Sequence, residues 1–106
     1  YINFDVDKSN ITAEGKEVVT QISEALQKDK SLKIAIEGHT DNSGEASHNK
    51  KLSNDRANAV MKTLITSGID KNRLTAKGFG SEKPLLANDS EQNKAKNRRV
   101  ELVKTN

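Results

Sequence analysis

Cysteine is absent from the chain, which excludes a disulfide framework and a thiolate metal site. That absence assigns no compartment. Aromatic residues are almost absent as well: Tyr1, Phe4 and Phe79 are the only three. Proline occurs once, at Pro84. No apolar run approaches the roughly 20 residues that a membrane-crossing helix needs, and no secretion-signal pattern opens the sequence. A strong excess of one charge is also lacking. The net charge is +3, acids and bases are interspersed, and no basic block exceeds two residues. Charge this weak and this evenly spread along the sequence speaks for solubility rather than for a nucleic-acid footprint.

What is present suits one domain, residues 1–106, around one thin core. Of the 106 residues, 32% are hydrophobic and 31% charged, so the surface must be heavily solvated. The first residues already read as a strand. The chain is therefore expected to be a piece of a longer protein, whose other parts would hold a signal, a lipid anchor or a barrel. Fourteen cations are lysine and only four are arginine. A chain that uses lysine by default places arginine where a planar, two-pronged donor matters. Arg56, Arg98 and Arg99 are candidates on that ground.

Hydrophobic spacing predicts the elements. Residues 1–6 alternate Ile2, Phe4 and Val6 with polar neighbours, the period of a strand. Thr12 is placed as an N-cap for a first helix from Ala13 to Lys28. Leu32, Ile34 and Ile36 alternate as a second strand that ends at Gly38. Residues 39–51 lack apolar periodicity and read as a long loop. Ser53 is expected to cap a second helix, in which Ala57, Val60, Met61, Leu64 and Ile65 form one apolar face before Gly68 stops it. Residues 73–79 form a third strand. Residues 80–96 form a polar loop with at most a short third helix near 91–96, and residues 98–104 form the last strand. The alternation predicts an α/β (α+β) fold of βαβαβ type: a mixed four-stranded sheet with two main helices packed on it and an antiparallel last strand.

Ligands of such sheets gather beyond the carboxyl ends of the parallel strands. The loops after the first two strands lie there, and both are rich in Asp and Asn. A helix start at Ser53 would put Arg56 in its first turn, where free N–H groups favour an anion. Asp41, just past the second strand, can face it. A carboxylate opposite an arginine makes a cradle for a zwitterion, with Asp41 taking the ammonium and Arg56 the carboxylate. Asp41 also has a plainer reading, as a turn cap or as an ion-pair partner of Arg56. On the cradle reading, alanine at Asp41 or Arg56 leaves the fold intact and removes most binding.

Gly38-His39-Thr40-Asp41, Asn49, Leu52-Ser53, Arg56-Ala57, Gly68-Ile69, Gly78-Phe79-Gly80 and Asn97-Arg98-Arg99-Val100 occur in this order. Together they resemble the OmpA-like C-terminal domain family, that of OmpA, peptidoglycan-associated lipoproteins and MotB. The resemblance runs from Phe4 to Val103. It implies non-covalent binding of peptidoglycan through the diaminopimelate of the stem peptide. It also implies a periplasmic domain that tethers an outer-membrane protein, or a stator in the inner membrane, to the wall. Asp41 and Arg56 match the family's ligand contacts. Asp5, Asp7, Thr40, Asn49 and Leu52 match supporting positions, and Arg98 and Arg99 match an arginine pair that flanks or braces the site. Adjacent strand residues point to opposite faces, so at most one of that pair faces the ligand. The loop before the last strand is shorter than in some members, and Asn93-Lys94 stands where many have Gly-Arg. No cofactor is implied, and the oligomeric state, a homodimer included, stays open.

Two other classes compete. A wall hydrolase would need a nucleophile beside a base or two acids flanking a cleft, and the sequence offers no such spacing, so an enzyme is not expected. A protein-interaction domain without ligand would lack Asp41 and Arg56. His39, Asp41 and His48 admit a metal reading, but their spacing is loose and no metal is expected. Gly38, Gly78 and Gly80 fit no phosphate loop; close backbone approach explains them better.

Overall fold

In the computed structural model, which describes residues 2–4 and 9–105, four strands form one mixed sheet flanked by helices. In chain order the elements are β1 (Ile2–Asn3), α1 (Ala13–Lys28), β2 (Ile34–Gly38), α2 (Ala46–Thr66), β3 (Leu74–Gly78), α3 (Glu91–Asn97) and β4 (Arg99–Lys104), with a 3₁₀ turn at Lys71–Arg73. The sheet order is β1-β4-β2-β3. Strands β2 and β3 are parallel, while β4 runs antiparallel to both β2 and β1.

The first helix has the expected bounds, and the Thr12 hydroxyl accepts the Gly15 N–H at 3.1 Å as its cap. Its apolar stripe packs against β1 and α2. Gly68 follows α2 with φ 104°, as a C′ glycine should. Ile36 of β2, Val100 of β4 and Ala57, Val60 and Leu64 of α2 are wholly buried and form the centre of the core.

The second helix departs from expectation. It begins at Ala46, seven residues before Ser53, and its N-cap residue Glu45 makes no side-chain cap bond. The predicted loop over 39–51 is therefore only half loop. The buried stripe of α2 runs Asn49, Ser53, Arg56, Ala57, Val60, Leu64. Its helical spacing is unbroken, but its first turns are polar, and apolar periodicity cannot register them.

Ser53 and Asn54 dock this polar end onto the sheet. The Ser53 hydroxyl donates to Lys50 O and accepts the Gly80 N–H, both at 2.8 Å. Asn54 Oδ1 accepts the Gly78 N–H at 2.7 Å. Gly38 and Gly78 are register partners beneath Ser53, where no side chain would fit.

Arg73 closes the opposite end. Its guanidinium donates to Leu26 O (2.7 Å), Asp29 O (2.7 Å) and Leu32 O (3.0 Å), which satisfies carbonyls at the end of α1. Arg73→Ala should cost about 1–3 kcal/mol in urea unfolding, because it strips these acceptors together. Arg73→Lys should recover only part, since an ammonium cannot reproduce the planar fork. A midpoint unmoved by either change would show that water replaces the guanidinium freely.

Candidate ligand-binding site

The carboxyl end of β2 leads into His39, Thr40 and Asp41, all nearly inaccessible to water. These residues, the first turns of α2 and the start of β4 enclose a cavity of about 280 Å³. Thr40, Asp41, Asn49, Leu52, Arg56 and Arg98 line it, so six of the expected residues share one wall system. Ser43, Gly44 and His48 complete the lining. Asp5 and Asp7 lie outside the described residues. Arg99 is placed elsewhere. It is buried, and its guanidinium bonds to Lys83 O, Asn97 O and the Glu101 carboxylate. The last strand begins at Arg99 rather than at Arg98, which is the C-cap residue of α3, and the two side chains have separate partners.

Asp41 is 5% exposed. Its Oδ1 accepts the Ser43 N–H at 2.8 Å and its Oδ2 accepts from Arg98 Nη1 at 2.9 Å. Burial pushes the carboxyl pKa up, but the Ser43 N–H and the Arg98 guanidinium outweigh it and hold the pKa below 3.8. Asp41 is thus ionised at neutral pH. Its partner is Arg98 rather than Arg56. Arg98 also donates to Glu91 Oε1 at 3.0 Å and to Phe4 O at 3.2 Å, so three of its five N–H groups are engaged. Burial opposes its charge, while Asp41 and Glu91 restore it, and the guanidinium pKa is raised on balance.

Arg56 is not in a first turn. It lies ten residues past the first residue of α2, about 15 Å along the axis at 1.5 Å per residue. The expected union of Arg56 with a helix N-terminus is thereby corrected. Arg56 has no exposed surface. Its Nη1 donates to His39 O at 3.0 Å and its guanidinium lies 5.2 Å from the centre of the Phe4 ring. It forms the floor of the cavity and ties the β2 exit to α2. The expectation that alanine at Asp41 or Arg56 leaves the fold intact does not survive this geometry. Either substitution would strip a buried polar partner, at a cost of about 3 kcal/mol or more.

A family model described as OmpA family matches residues 3–98. The chain belongs to the OmpA family. It is 36% identical over 99 residues to outer membrane protein A of Bordetella avium, covering 93% of this chain and 51% of that protein. A peptidoglycan-binding protein, ArfA, of Mycobacterium bovis is 31% identical over 102 residues, covering 96% of this chain and 31% of that protein. The crystal structure of the peptidoglycan-associated lipoprotein of Burkholderia pseudomallei superposes with a TM-score of 0.94 at 30% identity, covering 98% of this chain and 88% of that one. The chain thus spans about half, or less, of the length of these curated relatives.

Around this cavity, sequence reasoning missed Glu91, which completes the Arg98 ion pairs, and Asn97, which shapes the loop before α3. The wholly buried Asn97 side chain accepts the Leu85 and Leu86 N–H groups and donates to Leu86 O and Asn88 Oδ1. Asn97 stood in the recognised motif but carried no chemical signal of its own. His39, Asp41 and His48 do not converge, and no metal-sized group of three such residues gathers among the described residues.

His39 instead stacks on Phe79 at 5.4 Å, on the far side of the β2 exit. Neither ring nitrogen has a hydrogen-bond partner. Glu101 lies 3.6 Å from Nε2, yet burial first, and Arg99 second, push the imidazole pKa down to about 4. The His39–Glu101 approach is therefore not an ion pair at neutral pH. The unfolded imidazole, near 6.5, takes up a proton that the folded one refuses. Stability is thus full above pH 6.5 and declines as pH falls towards 4. Unfolding in urea should show a loss of about 2 kcal/mol between pH 7 and pH 5. His39→Phe should flatten that slope. An equal slope in both proteins would remove His39 as its source.

Proposed function

We propose that this domain binds peptidoglycan non-covalently through the free amino-acid end of diaminopimelate in the stem peptide, and so anchors its parent protein to the cell wall. The observation that carries the reading is the ionised Asp41 carboxylate on the wall of a cavity that also exposes Arg98 and is floored by Arg56. A diaminopimelate linked into a peptide at one end carries an ammonium and a carboxylate at the other. Asp41 receives the ammonium. The carboxylate turns to the arginines: Arg98 retains two uncommitted N–H groups, and Arg56 sets the positive potential beneath. Thr40, Asn49 and Leu52 shape the walls.

The relatives named for peptidoglycan support the polymer, and the charge pattern of the cavity supports the head group. Binding without turnover is the reading that the relatives named for binding support, and among the described residues the cavity's carboxylate is held by an arginine. On this reading the domain lies in the periplasm, and its parent protein is attached to the outer membrane or, for a stator-type architecture, to the inner one.

Co-sedimentation with purified sacculi tests this reading. The domain should pellet with diaminopimelate-containing sacculi, release no soluble fragments, and be displaced by free diaminopimelate but not by free acetate. Sacculi with lysine in place of diaminopimelate offer the ammonium without its carboxylate and should bind about tenfold or more weakly, the loss of one charge-assisted contact. Equal binding to both would remove the arginines from the recognition. Released fragments would favour a hydrolase.

A further inference from the structure

Three lysines far apart in the sequence meet at one aromatic ring. Lys83 Nζ lies 4.1 Å from the centre of Phe79, Lys77 Nζ 5.0 Å and Lys50 Nζ 5.9 Å. They come from three elements: Lys50 from α2, Lys77 from β3, and Lys83 from the loop that follows β3. All three side chains are exposed. None has a carboxylate within 4 Å among the described residues. The support beneath them is fixed. Phe79 donates its N–H to Gly38 O and stacks on the buried His39, and buried Arg99 holds the Lys83 carbonyl.

The arrangement has an electrostatic consequence. Three ammonium groups within 6 Å of one point repel one another, and the negative ring face offsets only part of that. Glu82, next to Lys83 in the chain, makes no ion pair with the three lysines. Glu101 is taken by Arg99, and Glu37, the register partner of Lys77, makes no ion pair with it. A local positive field of this kind raises the concentration of anions at the surface. The patch is also continuous with the cavity. Lys50 follows Asn49 and His39 precedes Thr40, both cavity residues, and Thr40 donates its N–H to Gly80 O beside Phe79.

We propose that the Lys50–Lys77–Lys83 cluster on Phe79 is a second subsite, which takes the carboxylates of a neighbouring stretch of the same wall polymer. The inference rests on the peptidoglycan reading above. In that polymer every stem peptide carries carboxylates, so a strand seated in the cavity brings further anions across the patch. Exposed lysines, mobile and strongly hydrated, suit such irregularly spaced groups better than a fixed fork does.

The test uses Lys50→Gln, Lys77→Gln and Lys83→Gln combined, beside Asp41→Asn. Free diaminopimelate binding, measured by calorimetry, should be unchanged in the triple variant. Its sacculus binding in 50 mM NaCl should fall about tenfold, three exposed pairs contributing a factor of about two each. The salt dependence of binding should flatten as well. Arginine at the three positions should restore both. Sacculus binding equal to the parent's, with an unchanged salt dependence, would overturn the subsite. The cavity reading would stand if Asp41→Asn still lost binding, and would fall with the subsite if it did not. Loss in the triple variant alone would keep the patch and remove the cavity. Phosphatidylglycerol vesicles form the control: a triple variant that loses vesicle binding and keeps sacculus binding would reassign the patch to anionic lipid.

Discussion

Asp41→Asn is expected to weaken retention on sacculi about a hundredfold while the domain stays folded. The carboxylate is ionised, nearly buried and already bonded at both oxygens. Asparagine keeps the shape and an oxygen for the Ser43 N–H. It removes the charge and turns an amide N–H toward Arg98 Nη1, where Oδ2 had accepted, so some stability is lost with it. An incoming ammonium would then meet the Arg98 guanidinium without the Asp41 charge that had offset it. Losing a charge-assisted contact in a sheltered site costs about 1.5–3 kcal/mol, and 3 kcal/mol corresponds to about 150-fold in affinity. Asp41→Ala cannot serve as the test. It leaves the Arg98 guanidinium short of a partner inside the protein, and lost binding could then follow from lost structure. The pair of variants is read against stability: asparagine keeps the Ser43 bond and should stay folded with part of the stability lost, while alanine loses both bonds. Because the Asp41 pKa is depressed, the carboxylate stays ionised at pH 5, and binding should persist there. An Asp41→Asn domain that pellets with sacculi as the parent does would remove Asp41 from ligand recognition.

The sequence disclosed the sheet, the bounds of α1 and the identity of the cavity residues with different success, for physical reasons. Elements with apolar periods were legible: Ile34 and Ile36 in β2, and Val60 and Leu64 in α2, lie where spacing puts them. The first turns of α2 were not, because their buried positions are Asn49 and Ser53. A polar residue on a buried face carries no hydrophobic period, and Glu45 gives no capping bond to mark the start. The same polar stripe is what builds the cavity, so the sequence was least readable where the site lies. Scarcity of arginine pointed to side chains with fixed polar partners, since Arg56, Arg98 and Arg99 are all buried, although only Arg56 and Arg98 line the cavity. It could not say which carboxylate goes with which. That pairing depends on β4 running beside β2, which brings Arg98 to Asp41 across 57 residues of sequence. The lysines at Phe79 were hidden for a similar reason. A charge run can be seen along a chain, but three cations that meet through the parallel pairing of β2 and β3 and the docking of α2 cannot.

Gly38→Ala is expected to destabilise the domain by about 3 kcal/mol or more, at the upper end of what overpacking costs. A Cβ built on Gly38 would lie 2.0 Å from Ser53 O and 2.9 Å from its carbonyl carbon. Those are backbone atoms of α2, so no rotamer change can make room. The helix would have to lift from the sheet, or β2 would have to bend. Lifting α2 would separate the Ser53 hydroxyl from the Gly80 N–H and Asn54 Oδ1 from the Gly78 N–H, leaving donors without partners. It would also draw Arg56 away from His39 O and open the cavity floor. Gly78→Ala tests the same contact with a different neighbour set, because its Cβ would meet the Ser53 hydroxyl as well as the Asn54 backbone nitrogen and Oδ1. Adding Ser53→Ala should recover part of the Gly78→Ala loss and none of the Gly38→Ala loss. Urea midpoints of the four variants measure this directly. A Gly38→Ala midpoint within 1 kcal/mol of the parent's would mean that the helix can leave the sheet without strain. The proposal that glycine pairs β2 and β3 tightly enough to seat the polar end of α2, and with it the binding wall, would then fail.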